Sequence, residues 1–123
     1  MVTLDTNAVI YFLKGDLKAN EVIRSAFDVY LPMFVSTVTE VELFSLPSIT
    51  TEEIGQINLL LSTLSIIPLD SQIARKAGEI RRVFRLKTAD SIIAATAFFT
   101  HSTLLTRNIK DFKKIFDLTI QEI

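Results

Sequence analysis

The amino-acid sequence predicts an α/β fold, a three-layer α/β/α sandwich around a mostly parallel central sheet, and three observations lead there. Short apolar or β-branched runs at residues 2–4, 30–36, 65–69, 103–106 and 118–120 alternate with longer stretches of helical periodicity. The connections between them are short, and strands that alternate with helices through short turns favour parallel pairing with helices on both faces. The length of 123 residues, with 49% apolar and 22% charged, suits one globular domain spanning residues 1–123, with no linker, repeat or low-complexity segment. The order of the strands is not readable from this pattern.

The first strand, residues 2–4, runs into Asp5, Thr6 and Asn7, which prefer turns and helix caps to strand interiors. Asp5 therefore stands at the carboxyl edge of the sheet, where open α/β sheets bind ligands. Residues 7–13 read as a short helix closed by Lys14 and Gly15, since glycine takes the left-handed terminal conformation without penalty. Residues 17–27 carry Val22, Ile23 and Ala26 on one side and form an amphipathic helix. The strand at residues 30–36 contains Pro32, which argues that part of it lies at an edge.

Residues 37–46 form a helix with two acids. Thr37 and Glu40 fit a capping box, in which Glu40 reaches back to a free amide at the helix start. Glu42 lies about 200° around the helix from Glu40 and has a separate role. Val38 and Leu46, four residues to either side of Glu42, put it on a partly buried stripe, where a carboxylate needs a partner. Pro47 and Ser48 break the chain, and Thr50 with Glu53 makes a second capping box for a helix running to about residue 64. Its Ile54, Ile57, Leu60, Leu61 and Leu64 are a core stripe or a partner-facing surface.

Residues 65–69 read as a short buried strand, and Asp70 caps a helix over residues 71–86. Arg75, Lys76, Arg81, Arg82, Arg85 and Lys87 gather here, nearly half of the 13 basic residues. With a net charge of −1 the chain does not hold nucleic acid by overall charge, so any such contact needs a local basic patch of this kind. Thr88 opens the helix at residues 89–99, which is apolar nearly all round and therefore buried in the middle of the fold. Asp90 is a charge at the mouth of that central helix. Residues 100–102 turn the chain, 103–106 form a strand, 107–111 a loop, 111–116 the last helix, and 118–120 close the sheet.

Composition excludes several chemistries. There is no cysteine, hence no disulfide or thiolate metal site, and the three glycines make a Gly-rich phosphate loop implausible. His101 stands alone in a loop and receives no role. No basic-then-apolar leader precedes the first strand and no apolar run approaches the roughly 18 residues of a spanning helix, so the expected setting is soluble and cytoplasmic, away from membranes.

What remains is the acids. Each has a plain structural reading: Asp5 as a turn residue, Asp90 as a favourable charge at a helix start, Glu42 on a solvated face, and the basic run as a solvated helix face. Their joint arrival at one sheet edge favours chemistry instead. Three carboxylates in a half-buried cleft repel one another, so without a cation some stay protonated. An all-oxygen donor set with no Cys and one His favours Mg²⁺ or Mn²⁺ over Zn²⁺. Such an ion activates a bound water and braces the phosphoryl oxygens of an in-line attack.

Four segments then carry a family resemblance: Leu4-Asp5-Thr6-Asn7, residues 36–43 (Ser-Thr-Val-Thr-Glu-Val-Glu-Leu), residues 88–97 (Thr-Ala-Asp-Ser-Ile-Ile-Ala-Ala-Thr-Ala) and residues 105–112 (Leu-Thr-Arg-Asn-Ile-Lys-Asp-Phe). In these, and in their order, the chain resembles the PIN-domain ribonucleases, and most closely the VapC toxins of bacterial and archaeal toxin–antitoxin pairs. The resemblance implies a PIN-like sandwich and a Mg²⁺- or Mn²⁺-dependent endoribonuclease using water as nucleophile, without a covalent intermediate. It makes Asp5, Glu42 and Asp90 the catalytic metal-binding acids. The family often has a fourth acid directly after the Thr-Arg pair, and this chain departs from that with Asn108, whose carbonyl oxygen remains a donor, while Asp111 stands in from the next turn. Arg81, Arg82, Arg85, Lys87 and Arg107 are the candidates for holding RNA phosphates. The resemblance further implies a cognate VapB-like antitoxin, sought on the stripes at residues 17–27 and 54–64, and a homodimer. Two alternatives stay open: a PIN nuclease of RNA processing or DNA repair, and a non-catalytic RNA-binding PIN module in which Asn108 marks decayed chemistry.

Overall fold

The computed structural model describes residues 1–123. Five strands, β1 (Val2–Leu4), β2 (Met33–Ser36), β3 (Ser65–Ile67), β4 (Thr103–Thr106) and β5 (Ile120–Glu122), form one sheet in the order β3-β2-β1-β4-β5. Every pairing is parallel. The helices are α1 (Thr6–Leu13), α2 (Leu17–Asp28), α3 (Thr37–Phe44), α4 (Thr51–Leu61), α5 (Ser71–Phe84), α6 (Thr88–Phe99) and α7 (Ile109–Phe112). The α/β sandwich read from the alternation of elements is the architecture, with a sheet that is wholly rather than mostly parallel. No helix is long and apolar enough to cross a membrane.

The sheet separates two apolar cores because side chains alternate along a strand. Leu105 packs with Leu4, Val9, Ile23, Val35, Leu43 and Ile57 on the side of α1 to α4. Its neighbour Leu104 packs with Ile73, Ile80, Ile93 and Phe112 on the side of α5 and α6. Truncating a fully buried member such as Leu4 to Ala removes about 2–5 kcal/mol.

Strand ends double as helix starts, and this builds the carboxyl edge. Asp5 caps α1 by accepting from Ala8 N–H at 2.7 Å, Ser36 caps α3 by accepting from Val38 N–H at 3.1 Å, and Asp70 caps α5 by accepting from Ile73 N–H at 2.9 Å. Gly15 ends the first helical segment at φ 79, as its position after Lys14 predicts. The capping box of Thr50 and Glu53 forms, with Glu53 N–H donating to Thr50 Oγ1 and Thr50 N–H to Glu53 Oε1.

Other local readings give way. The capping box of Thr37 and Glu40 does not form: the helix starts one residue earlier, and Thr37 Oγ1 instead accepts the N–H of Leu69 at 3.1 Å. β2 starts at Met33, because Tyr30 turns the chain at φ 54. Pro32 precedes the strand and marks no edge, since β2 lies between β3 and β1. β3 is itself one of the two edge strands, with Ser65 and Ile66 exposed rather than buried. Near the end, Phe112, Ile115 and Leu118 are buried at a spacing of three, which mimics a helix at residues 111–116. The structure resolves that spacing into the short α7 followed by i to i+3 turns, with Ile115 N–H on Phe112 O and Leu118 N–H on Ile115 O, so β5 begins only at Ile120.

Candidate functional site

Asp5 is 5% exposed at the end of β1. Burial holds its carboxyl above the usual value; hydrogen bonds from the Thr106 hydroxyl and Ala8 N–H pull it down, and the charge of Glu42 pushes it up. Glu42 reaches the same neighbourhood from α3, half-buried, with Oε1 accepting the Thr6 hydroxyl at 2.5 Å. Thr6 also meets the Thr39 hydroxyl at 3.1 Å, and both threonines are buried. Asp90 enters from the first turn of α6. Its carboxyl is also held above the usual value, by burial first, then by the charges of Asp5 and Glu42, with Lys87 offsetting in part and Asp111 adding to the rise.

Four carboxylates from β1, α3, α6 and α7 thus share one electrostatic neighbourhood. No three His, Cys, Asp or Glu side chains are drawn together tightly enough to hold a metal ion as they stand. The acids share a field, not a closed cage. Their donor set is nevertheless all oxygen, which fits a hard divalent ion. Asn108 belongs to the same corner: its N–H donates to Thr106 Oγ1 at 2.9 Å and its Nδ2 to Asp111 Oδ2 at 3.0 Å, so its side-chain oxygen is the atom left to offer. Asp111 also has Lys114 Nζ at 3.8 Å.

The basic residues divide. Arg82, Arg85 and Lys87 are exposed, and Lys87 is close enough to Asp90 for its charge to be felt. Arg85 ends α5 in the left-handed region at φ 58. Arg81 donates from Nε to Thr88 Oγ1 at 3.0 Å, tying the end of α5 to the first turn of α6. Lys76 pairs with Glu79 and lies over the Phe98 ring at 5.1 Å. Arg107, grouped with the phosphate-holding candidates by sequence, has its guanidinium occupied: it pairs with Asp16, donates from Nε to the Ile123 main-chain oxygen at 2.6 Å, and lies 4.1 Å from the Tyr11 ring centroid.

Sequence reasoning missed Thr6, Thr39 and Thr106, the hydroxyls that hold Glu42 and Asp5. Two were signposted, since Thr6 follows Asp5 and Thr39 lies three residues before Glu42 on the same helical face. Thr106 had no comparable signal, because it meets Asp5 only through the pairing of β1 with β4.

The fold is shared with known proteins. The model of the PIN domain family matches residues 2–117. Ribonuclease VapC10 of Mycobacterium tuberculosis (strain ATCC 25618 / H37Rv) is 30% identical over 117 residues, covering 91% of this chain and 86% of the relative. Among solved structures, a toxin–antitoxin complex from Klebsiella pneumoniae contains a chain that matches with a TM-score of 0.81 at 30% identity, over 100% of both chains. DNA-bound VapBC from Salmonella typhimurium matches with a TM-score of 0.84 at 25% identity, over 98% of this chain and 96% of the other.

Proposed function

The chain belongs to the PIN-domain family, and from that premise we propose that it is a VapC-type ribonuclease toxin that hydrolyses RNA phosphodiester bonds with the help of Mg²⁺ or Mn²⁺. The observation that supports this most is the gathering of Asp5, Glu42, Asp90 and Asp111 at one sheet edge, where burial and mutual repulsion hold Asp5 and Asp90 above their usual pKa.

Asp5, Glu42 and Asp90 are the residues that would hold the ion, with Asp111 and the Asn108 oxygen completing the oxygen set. When bound, the ion supplies Lewis-acid stabilisation of the phosphoryl oxygens and lowers the pKa of the attacking water. The chain's own residues do the rest. Thr106 and the Ala8 N–H donate to Asp5 and favour its ionised form, ready to act as a ligand. The Thr6 hydroxyl fixes one Glu42 oxygen and leaves the other free to reach the ion. Arg82, Arg85 and Lys87, with Arg81 beside them, offer a positive strip to backbone phosphates, which positions a strand without reading its bases. Arg107 is left out of that strip because its guanidinium has internal partners.

The relatives from Klebsiella pneumoniae and Salmonella typhimurium are toxin–antitoxin and VapBC complexes, so the partner proposed here is a VapB-like antitoxin. The apolar stripes expected to receive it are mostly turned into the core: Ile23, Ala26, Ile57, Leu60 and Leu61 are buried. What remains open is a cleft of about 300 Å³ between α1, α2 and α4, lined by Phe12, Leu13, Phe27 and Leu59 among others, with Leu59 71% exposed. An amphipathic antitoxin helix suits such a cleft. Val41, Phe44 and Leu69 are exposed outside it, and a homodimer is the proposed assembly.

The deciding experiment incubates end-labelled RNA with the antitoxin-free protein in Mg²⁺, Mn²⁺ or chelator, with Asp90→Asn prepared identically. Cleavage that needs metal and disappears in Asp90→Asn is the expected result. RNA that binds without being cut, from folded protein, would replace the enzyme with a binding module.

A further inference from the structure

Arg107 stands between two residues that touch the acidic site, yet its own side chain goes elsewhere. On one side Thr106, fully buried, accepts the Asn108 N–H and lies close enough to Asp5 for its hydroxyl to lower that carboxyl's pKa. On the other, Asn108 holds Asp111. Arg107 itself joins Asp16, Tyr11 and Ile123, so one planar cation ties together α1, the turn before α2, the turn after β4 and the end of β5. A guanidinium suits this junction because it bonds through a fork and stacks through its face, which an ammonium does not.

The partners of Arg107 are themselves held. Asp16 caps α2 by accepting Ala19 N–H at 3.0 Å, and its N–H donates to Tyr11 O at 3.0 Å. Asn20 Nδ2 bonds both Phe12 O and Asp16 O, stitching α1 to α2. The Ile123 N–H donates to Thr106 O at 3.2 Å, so β5 grips the same turn through the main chain that Arg107 grips through its side chain. The turn carrying Thr106 and Asn108 is thus clamped by groups other than the acids.

We propose that Arg107 and Asp16 are a positioning pair for the acidic site: by clamping the turn after β4 they hold Thr106 against Asp5 and Asn108 against Asp111. The role in catalysis rests on the nuclease reading above; the clamping of the turn does not. Asp16→Asn keeps the cap on α2, because Asn caps as well as Asp, and reduces the ion pair to at most a neutral hydrogen bond, since the cap and Arg107 share one Asp16 oxygen. Arg107→Gln removes the same pair from the other end.

The test compares wild type, both single variants, the double variant and Ser102→Ala. Ser102 bonds Thr3 at 2.6 Å and Thr100 at 2.8 Å at the opposite edge of the sheet, so its loss reports on stability alone. Amide hydrogen exchange at residues 106–111, Mn²⁺ binding by calorimetry, and kcat and KM on labelled RNA are read at a temperature where every variant is folded. Arg107→Gln and Asp16→Asn should each speed exchange in that segment and weaken Mn²⁺ binding by about 10-fold, the lower end of what loss of a ligand's supporting contact causes. Each should lower kcat more than it raises KM, and the double variant should be no worse than either single. Ser102→Ala should do none of this.

A rise in KM for Arg107→Gln that Asp16→Asn does not share would mean that Arg107 holds phosphate directly, and would overturn the pair. Variants that only lose melting temperature, as Ser102→Ala does, would overturn it too. If Arg107→Gln fails to fold, Arg107→Lys replaces it: the charge is kept and the fork lost, so retained Mn²⁺ affinity and unchanged exchange would refute positioning. Wild type that neither binds Mn²⁺ nor cuts RNA would sink the nuclease reading and the catalytic role together, while hydrogen exchange would still tell whether the turn is clamped.

Discussion

Asp16 and Asp90 are carboxylates with opposite electrostatics. The hydrogen bond from Arg107 holds Asp16 below its usual pKa, whereas burial and three neighbouring acids hold Asp90 above its own. The cluster around Asp16 is complete: it supplies its own cation, a ring face and main-chain acceptors. The cluster around Asp90 gathers negative charge that the fold does not neutralise, with Lys87 and Lys114 only at its margin. Folding gains nothing from such a group, because repulsion and desolvation both oppose ionisation. Perturbed acids that converge without a neutralising partner make this corner the candidate functional site.

The sharpest way to break this contrast is to neutralise one member of each cluster. Asp90→Asn should reduce RNA cleavage by about 10²–10³-fold, the scale of losing one preorganised electrostatic contact to the transition state. The same change should raise the melting temperature of the metal-free protein at pH 7, since it removes a disfavoured charge. Asp16→Asn should lower that temperature instead. Thermal melts of the two variants side by side in chelator check the signs, and a destabilised Asp90→Asn would dissolve the comparison.

Next in size is the response of the metal-free protein to pH. A carboxyl raised in the folded state binds protons that the unfolded chain does not, so it favours folding below 3.8 and that contribution is lost as pH rises through the folded value. Asp5 and Asp90 therefore make the metal-free protein more stable as pH falls through their raised values toward 3.8, and the Asp5→Asn/Asp90→Asn double variant should lose that gain in denaturant titrations. Asp16 has the reverse sign: its contribution is present above 3.8 and is lost as pH falls through its lowered value. Excess Mn²⁺ should flatten the first trend and leave the second.

Smaller effects sharpen the boundary between site and surface. Leu59→Lys, at an exposed position in the last turn of α4, should leave stability within about 0.5 kcal/mol while weakening antitoxin binding by at least 10-fold, a loss of more than about 1.4 kcal/mol. Titration calorimetry with the antitoxin, beside a thermal melt, measures both. Thr39→Val, which removes a hydroxyl one step behind Glu42, should lower kcat several-fold at most, and a loss as large as that of Asp90→Asn would show the threonine to be a direct participant.

Much of the site was legible because each acid announces itself locally. Asp5 ends a strand and starts a helix, Asp90 opens an apolar helix, and Glu42 interrupts a partly buried stripe. Glu40 was given a cap that Ser36 supplies instead, because choosing between two adjacent hydroxyl residues depends on where β2 ends. Arg107 looked like one more cation near the site; that it pairs with Asp16, 91 residues away in sequence, is invisible to local reading. Pro32 misled in the same way, since a proline just outside a strand and one within an edge strand are alike in sequence.

The sequence by itself determined the layers and the direction of the strands, through hydrophobic periods and short connections that leave parallel crossovers as the natural topology. It also placed Asp5 and Asp90 at element starts, because a carboxylate at a strand end or in a helix's first turn is a local event. Only the tertiary structure decided the order β3-β2-β1-β4-β5 and, with it, the threonines that hold Asp5 and Glu42 and the clamp made by Arg107. These are pairings between segments far apart in the chain. Their energies depend on distance and burial, quantities that exist only after the sheet has closed around β1.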